Sequence, residues 1–286
     1  MTTTAVYARR FVSLVKFEHT VFALPFAFVG AILAAGEVPS AATLAWVTLA
    51  MVGARSLAMA LNRLIDAEID ARNPRTAVRE IPSGLLSRSH VLLFCVASLL
   101  VFLIAVWQLD PIVRWLWPIP VAAFVLYPYT KRFTWLCHLV LGLSTGMAPL
   151  GAWLAITGDV SIEPFLLWLA VALWIGGFDI IYATADVEFD RREGLHSLPS
   201  RFGIAPALMV TRVAHLLAIS LLIVVGVSLG VGPFYYAGLA VVAALLGYEN
   251  SIVHADDLSR VNVAFFTLNG VISMVFLAGV LADALT

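Results

Sequence analysis

Two polar motifs stand out in a chain that is otherwise strongly apolar. They read Asn62-x-x-x-Asp66-x-x-x-Asp70 and Tyr182-x-x-x-Asp186-x-x-x-Asp190. A spacing of four residues places the members of each motif on one face of a helix end. Carboxylates in or beside a bilayer are costly, so a cluster of them predicts a compensating cation. Hard oxygen ligands that leave room for phosphate oxygens suit Mg²⁺, and the motifs therefore predict a magnesium site that handles a diphosphate.

The motifs and the basic residues near them define a candidate catalytic site. We predict that the four aspartates are catalytic and that Mg²⁺ is bound by Asn62, Asp66, Asp70, Asp186 and Asp190. Guanidinium groups bind phosphate oxygens in a forked geometry, so Arg72 and Arg75 are predicted to hold the diphosphate. Lys131 and Arg132 either approach it from a third direction or serve as ordinary cationic anchors at the membrane surface. Two acidic clusters around one diphosphate indicate more than one metal ion.

Two further polar residues have more than one interpretation. Asp179 lies seven residues before Asp186, which places it near the same helix face. It either supports the site or is a polar residue of helix packing. His138 lies in an apolar run without a metal-ligand spacing, and a buried polar histidine is predicted there.

The composition is that of an integral membrane protein. Of the 286 residues, 62% are hydrophobic and 12% are charged, whereas a soluble domain is about 25% charged. The mean hydropathy is +0.97. A net charge of −1 argues against nucleic acid as a partner, because binding it requires a basic face. Cys95 and Cys137 lie in apolar runs and are predicted to be small buried side chains.

Hydropathy predicts an all-α, polytopic membrane protein with nine transmembrane helices and no cleavable signal peptide. The segment Gly230-Val231-Gly232-Pro233 divides one apolar run that is too long for a single crossing. The predicted helices cover roughly 19–36, 39–62, 89–109, 112–128, 134–157, 162–185, 205–229, 233–250 and 261–283.

The loop charges predict the orientation of these helices. Nearly all of the 17 lysines and arginines fall in loops on one side; Arg114 lies opposite, and Arg55 lies inside a helix. Basic residues are enriched in cytoplasmic loops. The bias therefore places the N-terminus and both acidic motifs on the cytoplasmic side of the cell (inner) membrane.

We predict a single domain that covers residues 1–286 and consists of two diverged halves, about 1–130 and 131–286. In each half an acidic motif closes an even-numbered helix and is followed by arginine and then by Pro82-Ser83 or Pro199-Ser200. Repeats in membrane proteins often place a site at the interface between them. We therefore expect one site shared by both motif loops, with no obligate protein partner.

The two motifs and the segment Y-P-Y-T-K-R at 127–132 resemble the UbiA superfamily of intramembrane aromatic prenyltransferases. The resemblance covers essentially the whole chain. It implies nine transmembrane helices around a central cavity, with a cytoplasmic cap formed by loops 2-3 and 6-7. It also implies Mg²⁺-dependent transfer of a prenyl group from a polyprenyl diphosphate to an aromatic acceptor, with Arg72, Lys131 and Arg132 assisting the metal-binding motifs.

The resemblance also bears on the acceptor. Members that act on 4-hydroxybenzoate tend to carry R-x-D-K-P-x-G in the first helix, where this chain has KFEHTVF. Three segments of the chain are instead similar to prokaryotic quinone enzymes called 4-hydroxybenzoate polyprenyltransferase-like. They are KFEHTVFALPFA, NRLIDAEIDARNPRT and DVEFDRREGLHSLPSRFG. The implied acceptor is an aromatic acid, either 4-hydroxybenzoate or a dihydroxynaphthoate, in ubiquinone or menaquinone biosynthesis.

The implied reaction forms an allylic cation in an apolar cavity that excludes water. Substrate-binding roles are predicted for Lys16, Tyr127 and Tyr182, and the apolar tail is expected near the aromatic residues Trp168 and Trp174. The sequence does not decide which base removes the ring proton. A motif carboxylate and the diphosphate itself are both candidates.

Two other kinds of membrane protein also carry acidic residues of this type. A cation- or proton-coupled transporter would place its acids near helix centres, beside helices broken at the midplane. A lipid phosphotransferase would use acidic motifs on a shorter bundle. The acids of this chain instead lie at helix ends in one predicted layer, which favours the prenyltransferase.

Overall fold

The computed structural model describes residues 10, 11, 13–15 and 17–286, and their regular elements are all helices. The α-helices, numbered here in chain order, are α1 Phe17–Ala35, α2 Ala41–Ile65, α3 Ala67–Arg72, α4 Arg88–Val106, α5 Val113–Leu116, α6 Pro118–Thr130, α7 Cys137–Thr145, α8 Met147–Thr157, α9 Glu163–Ala183, α10 Val187–Glu193, α11 Leu198–Phe202, α12 Ile204–Leu229, α13 Pro233–Ile252 and α14 Asn269–Ala284. A 3₁₀ turn at Thr184–Asp186 precedes α10, and a π-helix at Val263–Leu268 precedes α14.

Six helical segments of the described chain are long and apolar enough to cross a membrane. They are Ala41–Ile65, Arg88–Val106, Cys137–Thr157, Glu163–Glu193, Ile204–Leu229 and Val263–Ala284. Helices satisfy their own backbone hydrogen bonds, which lipid cannot do for them. Three more helices, α1, α6 and α13, lie where crossings were predicted. The count of nine membrane crossings therefore stays a prediction, whereas the prediction of an all-helical integral membrane protein is confirmed for the described residues.

Glycines set two of the helix boundaries. Helix α12 ends before Gly230, which has φ +64°, and α13 starts at Pro233, so the predicted break between them is confirmed. The predicted helix 134–157 is two helices that meet at Gly146. One turn earlier, a Cβ on Gly142 would lie 2.2 Å from the carbonyl oxygen of Ala172. The absence of that Cβ lets α7 and α9 pack backbone against backbone.

The long helices form a closed ring of contacts. In order, α1 packs on α2, α2 on α6, α6 on α7, α7 on α9, α9 on α12, α12 on α13, α13 on α14, and α14 on α1. Helix α4 packs along α2, and α8 lies between α1 and α9. The largest apolar core joins α1, α9 and α12–α14 around Trp174 and Phe276. The acidic motifs lie at the ends of α2 and α9, on two sides of this ring.

Candidate active site

Both acidic motifs interrupt their helices at the first aspartate. Helix α2 gives way to α3 at Asp66, which has φ −92° and ψ 2°. Helix α9 gives way to α10 through the 3₁₀ turn, where Asp186 has φ −109° and ψ 6°. This backbone region is sparsely populated and is common among active-site residues. The sequence predicted that each trio lies on one helix face, and Asn62 and Asp66 do share a face, because their side chains are hydrogen-bonded. The two helices are interrupted at equivalent positions of the motifs.

Asp66 is the most enclosed acid of the site. The residue is 1% exposed. Its Oδ2 accepts hydrogen bonds from the Asn62 amide at 2.9 Å and from Lys131 Nζ at 2.8 Å. Arg132 reaches Oδ1 at 3.4 Å and donates to the Ile65 carbonyl at 2.8 Å. Lys131 and Arg132, which follow α6, therefore lie against the first motif. Their role in binding a diphosphate stays a prediction.

Asp70 is paired with an arginine that the sequence did not single out. Nη1 of Arg79 lies 2.7 Å from each of the two Asp70 carboxylate oxygens. Asp70 is 4% exposed. The loop turns back on itself because Thr76 donates its hydroxyl to the Asp70 carbonyl at 3.0 Å. No spacing rule indicated this pair, since the turn that brings Arg79 back is not a regular element.

Asp186 joins the two motif loops. Arg75, from the first loop, donates Nε to Asp186 Oδ1 at 2.9 Å and also contacts Oδ2 and the Tyr182 hydroxyl. Its guanidinium carbon lies 4.7 Å from the centre of the Tyr182 ring. Asn73 adds a hydrogen bond to Asp186 Oδ1 at 3.1 Å. Burial by itself would lower the pKa of Arg75, but the hydrogen bond and charge of Asp186 raise that pKa above its ordinary value.

Asp190 and Lys131 tie the second loop to the α6–α7 segment. Asp190 Oδ2 accepts from the Ser197 hydroxyl at 2.7 Å, and Asp190 interacts electrostatically with both Lys131 and Asp186. The backbone N–H of His196 donates to the Lys131 carbonyl at 2.7 Å. Lys131 therefore contacts Asp66 of the first motif through its side chain and the loop of the second motif through its backbone carbonyl.

Arg72 does not contact a motif carboxylate. Its Nε lies 2.8 Å from Glu193, and its side chain is 57% exposed. Together with Arg88 and Arg132 it lines a separate polar cleft of about 370 Å³. Of the four predicted diphosphate-binding cations, Arg75, Lys131 and Arg132 therefore lie against the motif carboxylates and Arg72 lies beside them.

The donor set fits Mg²⁺ together with a phosphate ligand. Among the described residues, no three His, Cys, Asp or Glu side chains converge closely enough to hold a metal by themselves. Mg²⁺ is usually held by one or two carboxylates, several waters and the oxygens of substrate phosphates, and an all-protein cage is not needed. The carboxylates and the Asn62 amide supply such oxygens from both loops.

An apolar cavity of about 190 Å³ lies among helices α1, α2 and α4–α8. Helices α1, α2, α4, α6, α7 and α8 contribute to its wall, which includes Met51, Phe102, Phe124 and Trp117. Among the described residues, Arg55 is the one charged side chain in this wall. Trp174, near which the tail is expected, is packed into the apolar core, whereas the cavity is walled by other helices. The path of the tail stays a prediction.

The predicted substrate-binding residues have different surroundings. Tyr182 stacks on Phe265 of the π-helix, with ring centres 4.2 Å apart, and contacts Arg75. Tyr127 is 8% exposed and interacts electrostatically with Arg55, Asp66 and Asp179. Lys16 lies outside the described residues.

Comparisons with known proteins agree with this architecture. Residues 23–271 match the UbiA prenyltransferase family. The chain is 31% identical over 225 residues to the 4-hydroxybenzoate octaprenyltransferase of Aromatoleum aromaticum, covering 78% of this chain and 76% of that protein. It is 33% identical to the apo structure of a UbiA homolog from Aeropyrum pernix K1, with a TM-score of 0.85 and coverage of 93% and 98%. A UbiA homolog from Archaeoglobus fulgidus bound to GPP and Mg²⁺ shares the fold at 19% identity, with a TM-score of 0.72 and coverage of 97% and 100%.

Proposed function

Because the chain belongs to the UbiA prenyltransferase family, we propose that it transfers a polyprenyl group from a polyprenyl diphosphate to an aromatic acid, 4-hydroxybenzoate or a dihydroxynaphthoate, in the synthesis of a membrane quinone. The observation that carries the proposal is the contact between the two motif loops through Arg75 and Asp186, together with an apolar cavity whose wall includes the helix that carries the first motif. The named activity of the Aromatoleum aromaticum relative supports an aromatic acid as acceptor.

The diphosphate would bind between the two motif loops. Asn62, Asp66, Asp70, Asp186 and Asp190 would hold Mg²⁺, and the cations already at these carboxylates would turn to phosphate oxygens. Mg²⁺ at this place would neutralise charge on the departing diphosphate. Arg75 binds Asp186 through two of its guanidinium nitrogens, a forked geometry that suits a phosphate equally well. The Archaeoglobus fulgidus homolog bound to GPP and Mg²⁺ supports this assignment.

The apolar cavity would receive the prenyl chain. Its wall is formed by aliphatic and aromatic side chains apart from Arg55 and two hydroxyl residues, Ser144 and Thr145. Such a wall keeps water away from an allylic cation, which would otherwise be lost as the alcohol.

Arg55 would bind the carboxylate of the aromatic acid. It lies seven residues before Asn62 on α2, about 10 Å beneath the motif at 1.5 Å per residue. Its Nε is buried and has no hydrogen-bond partner among the described residues. A buried donor without a partner is costly unless a ligand satisfies it. The sequence showed this residue as a single charge inside a membrane helix, which was the available signal.

The proposal includes the placement in the membrane. We propose nine crossings within one domain, with the motif loops forming a cap on the cytoplasmic face of the inner membrane. The transporter alternative loses support because the motif acids lie at helix ends, where cations neutralise them. Transport would need acids along a path through the bilayer.

A reconstituted assay tests the function. The purified protein in lipid nanodiscs is incubated with labelled geranylgeranyl diphosphate, Mg²⁺ and a panel of aromatic acids, and extracted lipids are identified by mass spectrometry. We expect one acid to be prenylated, EDTA to abolish the product and Mg²⁺ to restore it. The variant Arg55→Leu should raise the KM for the acid, with the KM for the diphosphate unchanged. Full activity in EDTA would refute the metal site, and prenylation of no acid in the panel would refute the acceptor class.

A further inference from the structure

Beneath the cap, His138 on α7 and Asp179 on α9 form a hydrogen-bonded pair. His138 Nδ1 lies 2.6 Å from Asp179 Oδ2. The backbone N–H of Leu198 donates to Nε2 of the same ring at 3.3 Å. Because Nε2 accepts, the ring proton sits on Nδ1, which donates it to the carboxylate. The loop of the second motif thereby fixes the histidine ring, and the ring fixes one oxygen of Asp179.

The carboxylate of Asp179 keeps an open surface inside the protein. Its side chain is 22% exposed, whereas the adjacent residues Phe178 and Ile180 are buried. A charged side chain in an apolar membrane helix faces the interior of the bundle or a cavity and avoids lipid. His138 holds Oδ2, and among the described residues no donor contacts the other oxygen, so Oδ1 is available to a ligand.

Asp179 also lies at the depth where the two substrates would meet. Asp179 is seven residues before Asp186 and therefore lies roughly 10 Å beneath the cap along α9. Arg55 is eleven residues before the matching Asp66, so it lies about 6 Å deeper by the same rise per residue. Tyr127 is buried and close enough to both Arg55 and Asp179 to be affected by their charges, so the two residues share this neighbour. An aromatic acid whose carboxylate contacts Arg55 would therefore place its ring beside Asp179.

We propose that Asp179 is the base that accepts the ring proton and that His138 is the residue that positions it; this inference rests on the proposed function. The allylic C–O bond breaks and its electron pair leaves with the diphosphate. A π pair of the ring forms the new carbon–carbon bond. The electron pair of the ring C–H bond then returns to the ring, and the proton passes to the free carboxylate oxygen of Asp179.

The test separates bond cleavage from prenylation. For wild type and Asp179→Asn, release of diphosphate and formation of prenylated acid are measured in the same nanodisc sample. A positioned base contributes about 10²–10⁴-fold, so Asp179→Asn should form product at least about 100-fold more slowly. Its diphosphate release should stay within a few fold of wild type, because the metal and diphosphate groups are untouched, and the prenyl cation that the ring does not keep should be recovered as the prenyl alcohol after capture by water. Asp159→Asn, at an exposed loop aspartate, is the matched control.

Isotope effects and the histidine supply independent readouts. With acid deuterated at the attacked carbon, wild type should show little isotope effect, whereas Asp179→Asn should show a clear primary effect because proton removal becomes limiting. His138→Gln retains a donor to the carboxylate and should keep most activity, whereas His138→Leu should lose it and gain the isotope effect. These histidine variants also decide the question if Asp179→Asn does not fold.

Two outcomes would overturn the inference. If Asp179→Asn loses diphosphate release and product in the same proportion and without an isotope effect, the residue only helps to assemble the site. If His138→Gln and His138→Leu behave alike, the hydrogen bond does not position the base. Failure of the proposed function would look different, because wild type itself would then release diphosphate and prenylate none of the acids, and the inference would fall with it.

Discussion

Replacing Asp66 with asparagine tests whether the motif carboxylates serve ligand binding or only hold the cap together. The change keeps the side-chain volume and removes the charge that faces Lys131 at 2.8 Å. Removing one partner of a buried ion pair costs about 3–5 kcal/mol. The Lys131 side chain is 30% exposed and can turn toward water, so we expect Asp66→Asn to lower the free energy of unfolding by about 1–3 kcal/mol.

We expect Asp66→Asn to lose more activity than its lower stability can explain. Electrostatic stabilisation of a developing charge by one group is worth about 10²–10³-fold in turnover, and Asp66→Asn should reduce turnover by at least that factor per folded molecule. From the sequence alone, clustered acids would repel, and removing one would leave stability unchanged or raise it. The cations found around Asp66 reverse that expectation.

A double-mutant cycle with Lys131→Met makes the measurement decisive. Thermal unfolding without ligand and specific activity per folded molecule are measured for both single variants and for the double variant. The stability effects should be strongly non-additive, because either change alone already breaks the pair. A well-folded Asp66→Asn protein with near-normal turnover would refute the assignment of Asp66 to diphosphate chemistry.

Three more predictions follow from the cap and the helix packing. Arg79→Ala should lower both the melting temperature and activity because it leaves the buried Asp70 unpaired, whereas the exposed Arg72→Ala should change the melting temperature little; equal effects in differential scanning fluorimetry would contradict the pairing. In a background without native cysteines, Ser83→Cys and Arg192→Cys, one on each motif loop, should react with an impermeant maleimide from the cytoplasmic side alone, and periplasmic labelling of either would overturn the shared cap. Gly142→Leu should abolish the folded monomer seen by size exclusion, because its Cβ would overlap a backbone carbonyl at 2.2 Å; a normal monomer peak would contradict the packing.

Hydropathy and periodicity predicted much of this architecture because both report on local physics. The break at 230–233 was visible because glycine and proline end helices wherever they occur. The two motifs were visible because a period of four keeps residues on one helix face. Neither rule could show that Asp66 and Asp186 interrupt their helices, because those conformations depend on how the following short helices pack against the opposite loop.

Pairing within the cap was beyond the sequence for a different reason. Arg72, Arg75 and Arg79 belong to one loop and are chemically equivalent, yet they contact Glu193, Asp186 and Asp70 respectively. The irregular turn between them decides which acid each arginine meets, and no propensity encodes that choice. His138 was correctly predicted to be buried and polar, but its partner Asp179 lies on another helix and only the fold brings the two together.

The charge balance of the cap explains why two substrates and a metal belong in one proposal. Asp66 contacts Lys131 and Arg132, Asp70 contacts Arg79, and Asp186 contacts Arg75, so cations already neutralise three of the four motif aspartates. A diphosphate would add about three negative charges to this site. By itself it would gain little binding free energy, because each arginine that turned to it would leave a carboxylate without a cation. Mg²⁺ is that cation, because carboxylates coordinate it in place of arginine while it also binds phosphate oxygens. The ion pairs that these acids make at rest are thus the ones that a metal diphosphate would separate. Because the Arg75–Asp186 pair joins the two motif loops, its separation would also loosen the contact between those loops and make room for substrate.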